Sequence, residues 1–395
     1  MRVAGIENGV KDETCRLSAT VRLDGDPDPF ALWFEAECAG GMPACPWPGD
    51  ALLCGLLPVA MARGEPLELD APLSPRLRGG LPEIQSILRA WFPGARRVAV
   101  RAPDGAASAP PAAGRGGAVF FSGGVDSFHA LLKDDARPAA ERRYARLVYV
   151  VDYDLHPGRE ELLAQVLDMV GAVAEATGRG VVRVATNLKP FARRHLAWDW
   201  AHGPVLASAA HVLSGAFATV GIPATLPYHL LHPFGSHALL DPLWSGSALD
   251  IVHDGAELSR ADKIVEWIAH SPLALRHLRV CWENRDGRYN CGVCEKCVRT
   301  QLALLAADAL DRCPTFDRPP TPWAVLRAVR RLDGGNYIHA ADNVRLLRRR
   351  RDVRSRTLAA ALSVRLAMVR AVLAWRVLRG RFGVCTRVPA YEDRS

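Results

Sequence analysis

The chain has 395 residues, and this length predicts two or three domains. Hydrophobic residues make up 49% and charged residues 23% of the sequence, which excludes a protein that is mainly disordered. The formal net charge of +8 favours phosphate-bearing or polyanionic partners, although an Arg-rich surface without such a partner gives the same excess. The sequence opens without an apolar signal segment and lacks any run of about 18 uncharged apolar residues, so we expect a cytoplasmic protein without a membrane span.

The first 102 residues predict a small α+β domain in which no chemistry is recognisable. Phe30–Glu37 and Arg97–Arg101 alternate as strands do. Ala51–Arg63, with Asp50 as its capping residue, and Leu81–Phe92 have helical patterns. The four cysteines of this part lack ligand spacing and are expected to be ordinary thiols.

A linker rich in Ala, Pro and Gly, residues 102–117, precedes a sharp change of pattern. Apolar strands then alternate with helices, which predicts an α/β fold with a doubly wound parallel sheet. The predicted strands are Ala118–Phe121, Leu147–Val151 and Val181–Ala185, and the predicted helices include Glu160–Thr177, His202–Val220 and Ser259–Ile268. From about Ala324 onward the sequence is helical and basic, so the predicted domains are 1–102, 118–312 and 324–395.

The most distinctive segment is a glycine-containing turn between the first of these strands and the next helix, Ser122-Gly123-Gly124-Val125-Asp126-Ser127. Consecutive glycines let several backbone N–H groups point at one anion, and the start of a helix adds its positive dipole end. Ser122 and Ser127 offer hydroxyls to phosphate oxygens, and Asp126 is placed to bind Mg²⁺ against them. The segment lacks a Walker lysine, which excludes a kinase-type P-loop.

Four of the ten cysteines have the spacing of metal ligands, C-x9-C-x2-C-x2-C, and they are Cys281, Cys291, Cys294 and Cys297. Two-residue gaps let thiolates converge on one ion, and thiols stay reduced in the cytosol, so this spacing points to a metal and not to disulfides. Four sulfurs suit tetrahedral Zn²⁺, with an iron–sulfur cluster as the alternative.

The segment Ser122–Ser127 resembles the signature of the PP-loop ATP pyrophosphatases, which have the adenine nucleotide alpha hydrolase-like fold, and the resemblance covers about residues 118–310. In that superfamily the loop binds the β,γ-pyrophosphate of ATP, AMP is transferred to the substrate, and pyrophosphate leaves. The cysteine arrangement, Leu258-Ser259-Arg260-Ala261 and Asp152-Tyr153 are similar to the 7-cyano-7-deazaguanine synthases of queuosine biosynthesis, which carry a structural zinc.

This resemblance implies ATP, Mg²⁺ and Zn²⁺ as cofactors. It implies Asp126 and Ser127 as catalytic residues, and Ser122, Gly123, Gly124, Val125, Asp126, Ser127 and Asp152 as nucleotide-binding residues. We therefore expect a ligase that adenylylates a carboxylate or amide for attack by an amine, with ammonia as one candidate donor. The acceptor is a small molecule, a peptide or RNA. The alternatives are a tRNA-thiolating enzyme with an iron–sulfur cluster and a non-catalytic, zinc-stabilised nucleotide-binding or assembly protein.

Three other segments have two interpretations each. His232–Trp244 stands where the deazaguanine synthases have their substrate segment, and it contacts substrate or is a structural loop. His253 and Asp254 serve acid/base chemistry or form a turn. The basic helix Leu358–Leu378 packs against the catalytic domain, or its arginines contact RNA or anionic lipid.

Overall fold

The computed structural model describes residues 1–105, 115–151, 153, 155, 158–328 and 334–381. By their internal contacts they form two compact units, Met1–Leu258 and Ser259–Ser395. This division differs from the predicted boundaries, because strands from the first 102 residues join the sheet that contains the parallel strands and the residues after Leu258 form cores of their own.

The first unit contains one sheet, whose strands lie in the order β10-β9-β6-β7-β8-β3-β2-β1-β4-β5. The strands are β1 (Arg2–Lys11), β2 (Thr14–Arg22), β3 (Phe30–Cys38), β4 (Leu67–Leu69), β5 (Val100–Arg101), β6 (Gly117–Phe120), β7 (Tyr144–Val150), β8 (Gly180–Thr186), β9 (Thr219–Pro223) and β10 (Asp250–Asp254). The helices are α1 (Pro48–Arg63), α2 (Pro75–Trp91), α3 (Val125–Asp135), α4 (Glu160–Ala176), α5 (Leu188–Arg193) and α6 (Trp198–Val212).

The strands β6 to β10 confirm the predicted doubly wound α/β arrangement. All pairings among these five strands are parallel, and β6 is central. The chain runs outward from β6 through β7 to β8, and then crosses to β9 and β10 on the other side of β6. Crossovers between parallel strands are right-handed as a rule, so this strand order is expected to place α3 and α4 on one face of the sheet and α6 on the other. All four residues of β6 are buried, as expected for a parallel strand covered on both faces.

The N-terminal strands extend this sheet and do not form a separate domain. β3 pairs antiparallel with β8, with Phe34 opposite Thr186. The helix α1 is buried from Gly49 to Met61, because apolar residues surround it on all sides and it packs against α6. One hydrophobic core therefore includes residues of the predicted domain 1–102 and residues of the predicted domain 118–312.

Two local predictions are wrong. The helix predicted over His202–Val220 ends at Val212, and the apolar residues after Phe217 form β9, because periodicity cannot separate a buried helix from a buried strand. The Ser214 hydroxyl donates to the carbonyl oxygen of His211 over 2.6 Å where the helix tightens into a 3-10 turn. Asp50 is not the cap of α1. Its buried Oδ1 accepts a hydrogen bond from the backbone N–H of Ser74 over 2.8 Å.

The second unit is helical over its described residues. Its helices are α7 (Arg260–Glu266), α8 (Pro272–His277), α9 (Glu295–Ala306), α10 (Pro322–Ala328), α11 (Gly334–Arg348) and α12 (Val353–Arg381). Leu358, Leu362 and Leu366 of α12 are buried in a core shared with α9, α10 and α11. In the part of the chain that the structure describes, no helix is both long and apolar enough to cross a bilayer.

Candidate active site and metal centre

The glycine-containing turn connects β6 to α3, as the sequence predicts. Gly123 has φ of 76°, in the left-handed region that favours glycine. Gly124 is the N-cap of α3 in extended conformation, and its carbonyl oxygen accepts the first helical hydrogen bond from the N–H of Phe128 over 2.9 Å. The N–H groups before Phe128 have no acceptor within the helix, so the turn presents backbone donors at the positive end of the helix dipole.

The structure brings together the predicted nucleotide-binding residues of this turn. Ser122 and Asp126 are half-buried, with Asp126 in the first turn of α3. Ser127 is buried, and its hydroxyl donates to the carbonyl oxygen of Gly124 over 3.0 Å. Val125 is buried and anchors the start of the helix. Asp152 lies outside the described residues.

This turn lies where the order of the sheet reverses. The strands that the chain enters after β6 lie on one side of it, and β9 lies on the other. In open α/β sheets the crevice beyond the carboxyl ends of the strands at such a point is the usual ligand-binding position. The turn Ser122–Ser127 therefore lies at the usual ligand-binding position of an open α/β sheet.

An ion cluster lies at the carboxyl end of β10, on the α3 face of the sheet. The Asp254 carboxylate accepts a hydrogen bond from the Tyr144 hydroxyl over 2.7 Å and forms an ion pair with Lys133. Lys133 also pairs with Glu257 at 3.0 Å. Burial acts to raise the pKa of Asp254, but Lys133 and Tyr144 outweigh it and leave that pKa lowered. Burial, followed by the charge of Asp254, raises the pKa of the Tyr144 hydroxyl.

A second polar group lies on the opposite face of β10. The fully buried Asp241 accepts hydrogen bonds from the Ser236 hydroxyl at 2.7 Å, the His237 N–H at 3.2 Å and His253 Nδ1 at 2.7 Å. His237 lies against the ring of Trp91, with centroids 4.6 Å apart. Burial lowers the pKa of His237, and His253 lowers it further.

Aromatic and basic side chains form a rim near the carboxyl ends of β7 and β8. The Lys189 ammonium lies 5.5 Å from the ring centroid of Trp198 and donates to the carbonyl oxygen of Tyr153 over 2.8 Å. The rings of His202 and Phe234 have centroids 4.3 Å apart. Phe234 belongs to the predicted substrate segment His232–Trp244, so this segment contributes to the rim.

The four predicted metal ligands form a buried cluster in the second unit. The Sγ atoms of Cys281, Cys291, Cys294 and Cys297 all lie within 4.8 Å of one another. Cys281 Sγ and Cys294 Sγ are 3.8 Å apart, and Cys291 Sγ and Cys297 Sγ are 4.0 Å apart. A tetrahedron with Zn–S bonds of about 2.3 Å has sulfur–sulfur edges of about 3.8 Å. The cysteines thus fit a single metal ion such as zinc.

Backbone N–H groups support the thiolate form of this cluster. The N–H of Asn284 donates to Cys281 Sγ over 3.1 Å, that of Cys294 to Cys291 Sγ over 3.3 Å, and that of Cys297 to Cys294 Sγ over 3.5 Å. Hydrogen bonds among the four thiols lower the pKa of Cys291, with Cys281 as the largest cause, and raise the pKa of Cys294 and of Cys297. The three backbone donors are thus the feature that favours the deprotonated sulfurs that a metal requires.

No model of a protein family, no curated protein and no solved structure matches this chain. The chemistry of the sites therefore depends on the residues described above.

The sequence analysis named His253 and Asp254 together but did not predict which residues each of them contacts. His253 and Asp254 are neighbours in β10, but alternation along a strand points them to opposite faces. His253 pairs with Asp241, and Asp254 with Lys133 and Tyr144. The pairing with Asp241 had one signal in the sequence, since Asp241 lies in the segment proposed to contact substrate.

Proposed function

We propose that this protein is an ATP-dependent ligase that adenylylates a carboxylate or amide and then forms a carbon–nitrogen bond, releasing AMP and pyrophosphate. The observation that carries the proposal is the position of Ser122–Ser127. This segment combines a left-handed Gly123, the N-terminus of α3 and the point where the sheet order reverses. The resemblance to PP-loop ATP pyrophosphatases gives that position its specific chemistry.

In this proposal the turn binds the β,γ-pyrophosphate of ATP through its backbone N–H groups and the hydroxyls of Ser122 and Ser127. The Ser127 hydroxyl, which donates to Gly124, turns toward phosphate when the nucleotide is bound. Asp126 binds Mg²⁺, which neutralises phosphate charge when it is present. Positioning and charge neutralisation supply most of the rate in such transfers.

The cysteine cluster is proposed to bind one structural Zn²⁺. Its sulfur atoms lie as close together as the edges of a single-ion tetrahedron. An iron–sulfur cluster places several irons and sulfides between the thiolates and requires wider spacing, so this geometry gives no support to the thiolation alternative.

The acceptor is proposed to be larger than a free heterocycle. The rim formed by Trp198, Lys189, His202 and Phe234 includes the segment that replaces the substrate loop of the deazaguanine synthases. The N-terminal strands and the basic helices add surfaces that a peptide, protein or RNA acceptor uses for docking. We expect 7-carboxy-7-deazaguanine with ammonia to cause little or no ATP consumption. Conversion of that acid to the nitrile would replace the proposed acceptor class with that of the deazaguanine synthases.

The test of adenylylation is the exchange of labelled pyrophosphate into ATP. The purified protein is assayed with Mg²⁺ and with an extract from cells that lack the protein, which supplies acceptors and, alone, gives the background. Asp126→Asn should reduce exchange by about 10²–10³-fold, the usual loss when one stabiliser of transition-state charge is removed. Asp168→Asn, at an exposed position of α4, is the matched control and should exchange like wild type. Unchanged exchange and Mg²⁺ dependence in Asp126→Asn would contradict the proposal.

A further inference from the structure

The helix α12 carries two apolar stripes, of which one is buried and the other is exposed. The buried stripe includes Leu358 and Leu366 and belongs to the core shared with α9, α10 and α11. The exposed stripe consists of four large side chains, each 48–52% exposed: Val364, Met368, Val372 and Trp375. These residues recur at intervals of four, four and three, so they lie on one face of the helix.

The exposed stripe continues past the end of the core. Leu366 is the last residue of α12 in that core, and after it none of the described side chains of the helix is buried. The helix nevertheless continues to Arg381, which is about 22 Å farther at 1.5 Å per residue. A helical segment of this length is marginal in water unless an apolar face packs against something. Aligned apolar side chains on such a segment therefore indicate a surface that a partner covers.

The charge of α12 restricts what that partner is. The helix contains seven arginines and no lysine or acidic residue. At about 100° per residue, Arg365 lies beside one edge of the exposed stripe and Arg356 lies toward the other. The partner must therefore be anionic where it meets the arginines and apolar where it meets the stripe.

A basic cleft adjoins the stripe at its first residue. It has a volume of about 470 Å³ and is lined by Arg348 of α11 and by five residues of α12, namely Arg356, Ala359, Ala360, Ser363 and Val364. The Arg348 guanidinium donates to the Ser363 hydroxyl over 3.1 Å, which holds it against α12. Among the described residues, no carboxylate forms an ion pair with Arg348 or Arg356. The cleft thus offers two guanidinium groups to a phosphate beside an apolar surface.

Of three kinds of partner, the residues favour one. A second copy of α12 would bring seven more arginines and no carboxylate to neutralise them. RNA would neutralise the arginines, but it binds through phosphates and through bases stacked on aromatic rings, which leaves Val364, Met368 and Val372 in water. A leaflet with anionic phospholipids meets both requirements, because its phosphates pair with arginines and its acyl chains accept apolar side chains. Trp375 suits the boundary between the two layers.

We propose that α12 is a peripheral membrane anchor, which lies flat on a leaflet that contains anionic phospholipids. The exposed stripe enters the boundary of the acyl chains, and Arg348 and Arg356 bind headgroup phosphate. This inference does not rest on the proposed ligase function. It assigns this surface of the basic helices to lipid, and acceptor docking stays with their other surfaces.

Flotation of the purified full chain with lipid vesicles tests the anchor. We expect binding to phosphatidylcholine vesicles with about 30% phosphatidylglycerol to be at least about tenfold tighter than to phosphatidylcholine alone, and to weaken in about 0.5 M salt. Met368→Gln combined with Val372→Gln keeps the charge and the helix propensity, removes apolar contact, and should weaken binding by about tenfold or more. Ala367→Gln, at an exposed position outside the stripe, is the control and should bind like wild type.

Arg348→Gln combined with Arg356→Gln tests the basic cleft. Each arginine near an anionic surface contributes about 1 kcal/mol, so binding to the phosphatidylglycerol vesicles should weaken about fivefold per arginine. Binding to phosphatidylcholine alone should not change. In hydrogen–deuterium exchange, the amides of residues 367–375 should become protected when the phosphatidylglycerol vesicles are added.

Several results would overturn the anchor. One is equal binding of wild type to the two kinds of vesicle. Another is unchanged binding of the Met368→Gln, Val372→Gln variant, whose melting temperature should equal that of wild type because both positions are exposed. Absence of vesicle binding also overturns it. The stripe is then assigned to RNA if a single-stranded oligonucleotide binds, to a second copy if light scattering shows a dimer, and to the chain itself if residues 367–375 are already protected without lipid.

Discussion

The cysteine cluster and the carboxyl edge of the sheet are both buried polar sites, but they differ in how completely their atoms are satisfied. In the cluster, four sulfurs face one another at the spacing of a single tetrahedron, and backbone N–H groups donate to three of them. At the sheet edge, Asp241 is fully satisfied whereas His253 Nε2 has no partner among the described residues.

This difference separates a set of four sulfurs that can close around one metal ion from a buried polar group in which one nitrogen has no partner among the described residues. A closed ligand set gains its free energy on folding and has no position for a substrate. A buried nitrogen without a hydrogen-bond partner lowers the free energy of unfolding, and each such atom calls for an explanation, of which a functional role is one. The same contrast exists within β10. The carboxylate of Asp254 is bonded on one face of the strand, whereas the buried Nε2 of His253 has no partner among the described residues on the other face.

The largest expected effect is the loss of the metal centre. Cys294→Ser removes one of four ligands, and structural zinc contributes on the order of 10 kcal/mol to the folding of small modules. We expect insoluble or protease-sensitive protein that contains no zinc, whereas wild type contains one zinc per chain by elemental analysis. Cys313→Ser is the matched control, because Cys313 is buried in the same unit and donates to the Leu275 carbonyl oxygen, which serine can also do. Stoichiometric iron in wild type would favour the thiolation alternative.

A smaller effect is expected at the closed face of β10. Asp254→Asn leaves the buried end of Lys133 without its carboxylate and should lower the free energy of unfolding by about 3 kcal/mol at neutral pH. Chemical denaturation measures this value. Lys133→Met combined with Asp254→Asn should recover part of the loss, because the double variant removes both the buried carboxylate and its ammonium partner, and the Glu257 carboxylate that remains is partly exposed to solvent. Equal stability of Asp254→Asn and wild type would show that the ion pair is not stabilising.

The same ion pair predicts an acid limb in the stability of wild type. The pKa of Asp254 is lower in the folded protein than its ordinary value, which is about 3.9 in the unfolded chain. The stabilisation is thus complete above that value and is lost as the pH falls through the lower folded-state pKa. Melting temperatures measured from pH 7 downward should fall less steeply in Asp254→Asn. If the melting temperatures of wild type and Asp254→Asn fall in parallel, the Asp254 ion pair is not a source of the loss of stability in acid.

The smallest expected change in stability concerns the turn Ser122–Ser127, which is proposed to bind phosphate. Gly123→Ala forces a side chain into the left-handed region and should cost about 1–2 kcal/mol. It should also reduce ATP-dependent pyrophosphate exchange, because the turn can no longer present its N–H groups in the same direction. Gly171→Ala, in the middle of α4 with open space around the added carbon, should leave exchange unchanged and stabilise by up to about 1 kcal/mol. If both variants exchange equally, the turn does not bind the nucleotide.

Contiguous features were predictable from the sequence. The turn Ser122–Ser127 and the cysteine cluster each lie within a short segment, so the spacing of their residues indicates which atoms converge. The parallel strands β6, β7 and β8 were found because each contains a short, mainly apolar run between helices. Boundaries were less predictable where mainly apolar sequence continues from a helix into a strand, as between Ala209 and Val220.

Features that depend on sheet pairing were not predictable. The hydrogen bond between Asp241 and His253 requires β10 to lie beside β9 and a 3-10 turn to face it, and neither condition has a local sequence signal. The boundary near residue 102 was placed at a change of composition. However, the pairing of β3 with β8 joins the two sides of that boundary, and no pattern within either strand indicates it.

The pairing of β3 with β8 also has a consequence for synthesis on the ribosome. Phe34 finds its partner Thr186 only after about 150 further residues have been translated. At about 5–20 residues per second, the nascent chain waits about 8–30 s with the backbone groups along one side of β3 unpaired. An unpaired strand edge is a template for pairing with other chains. The growing polypeptide therefore passes through an aggregation-prone interval, which a chaperone bound to the N-terminal strands would protect and which ends when β8 covers that edge.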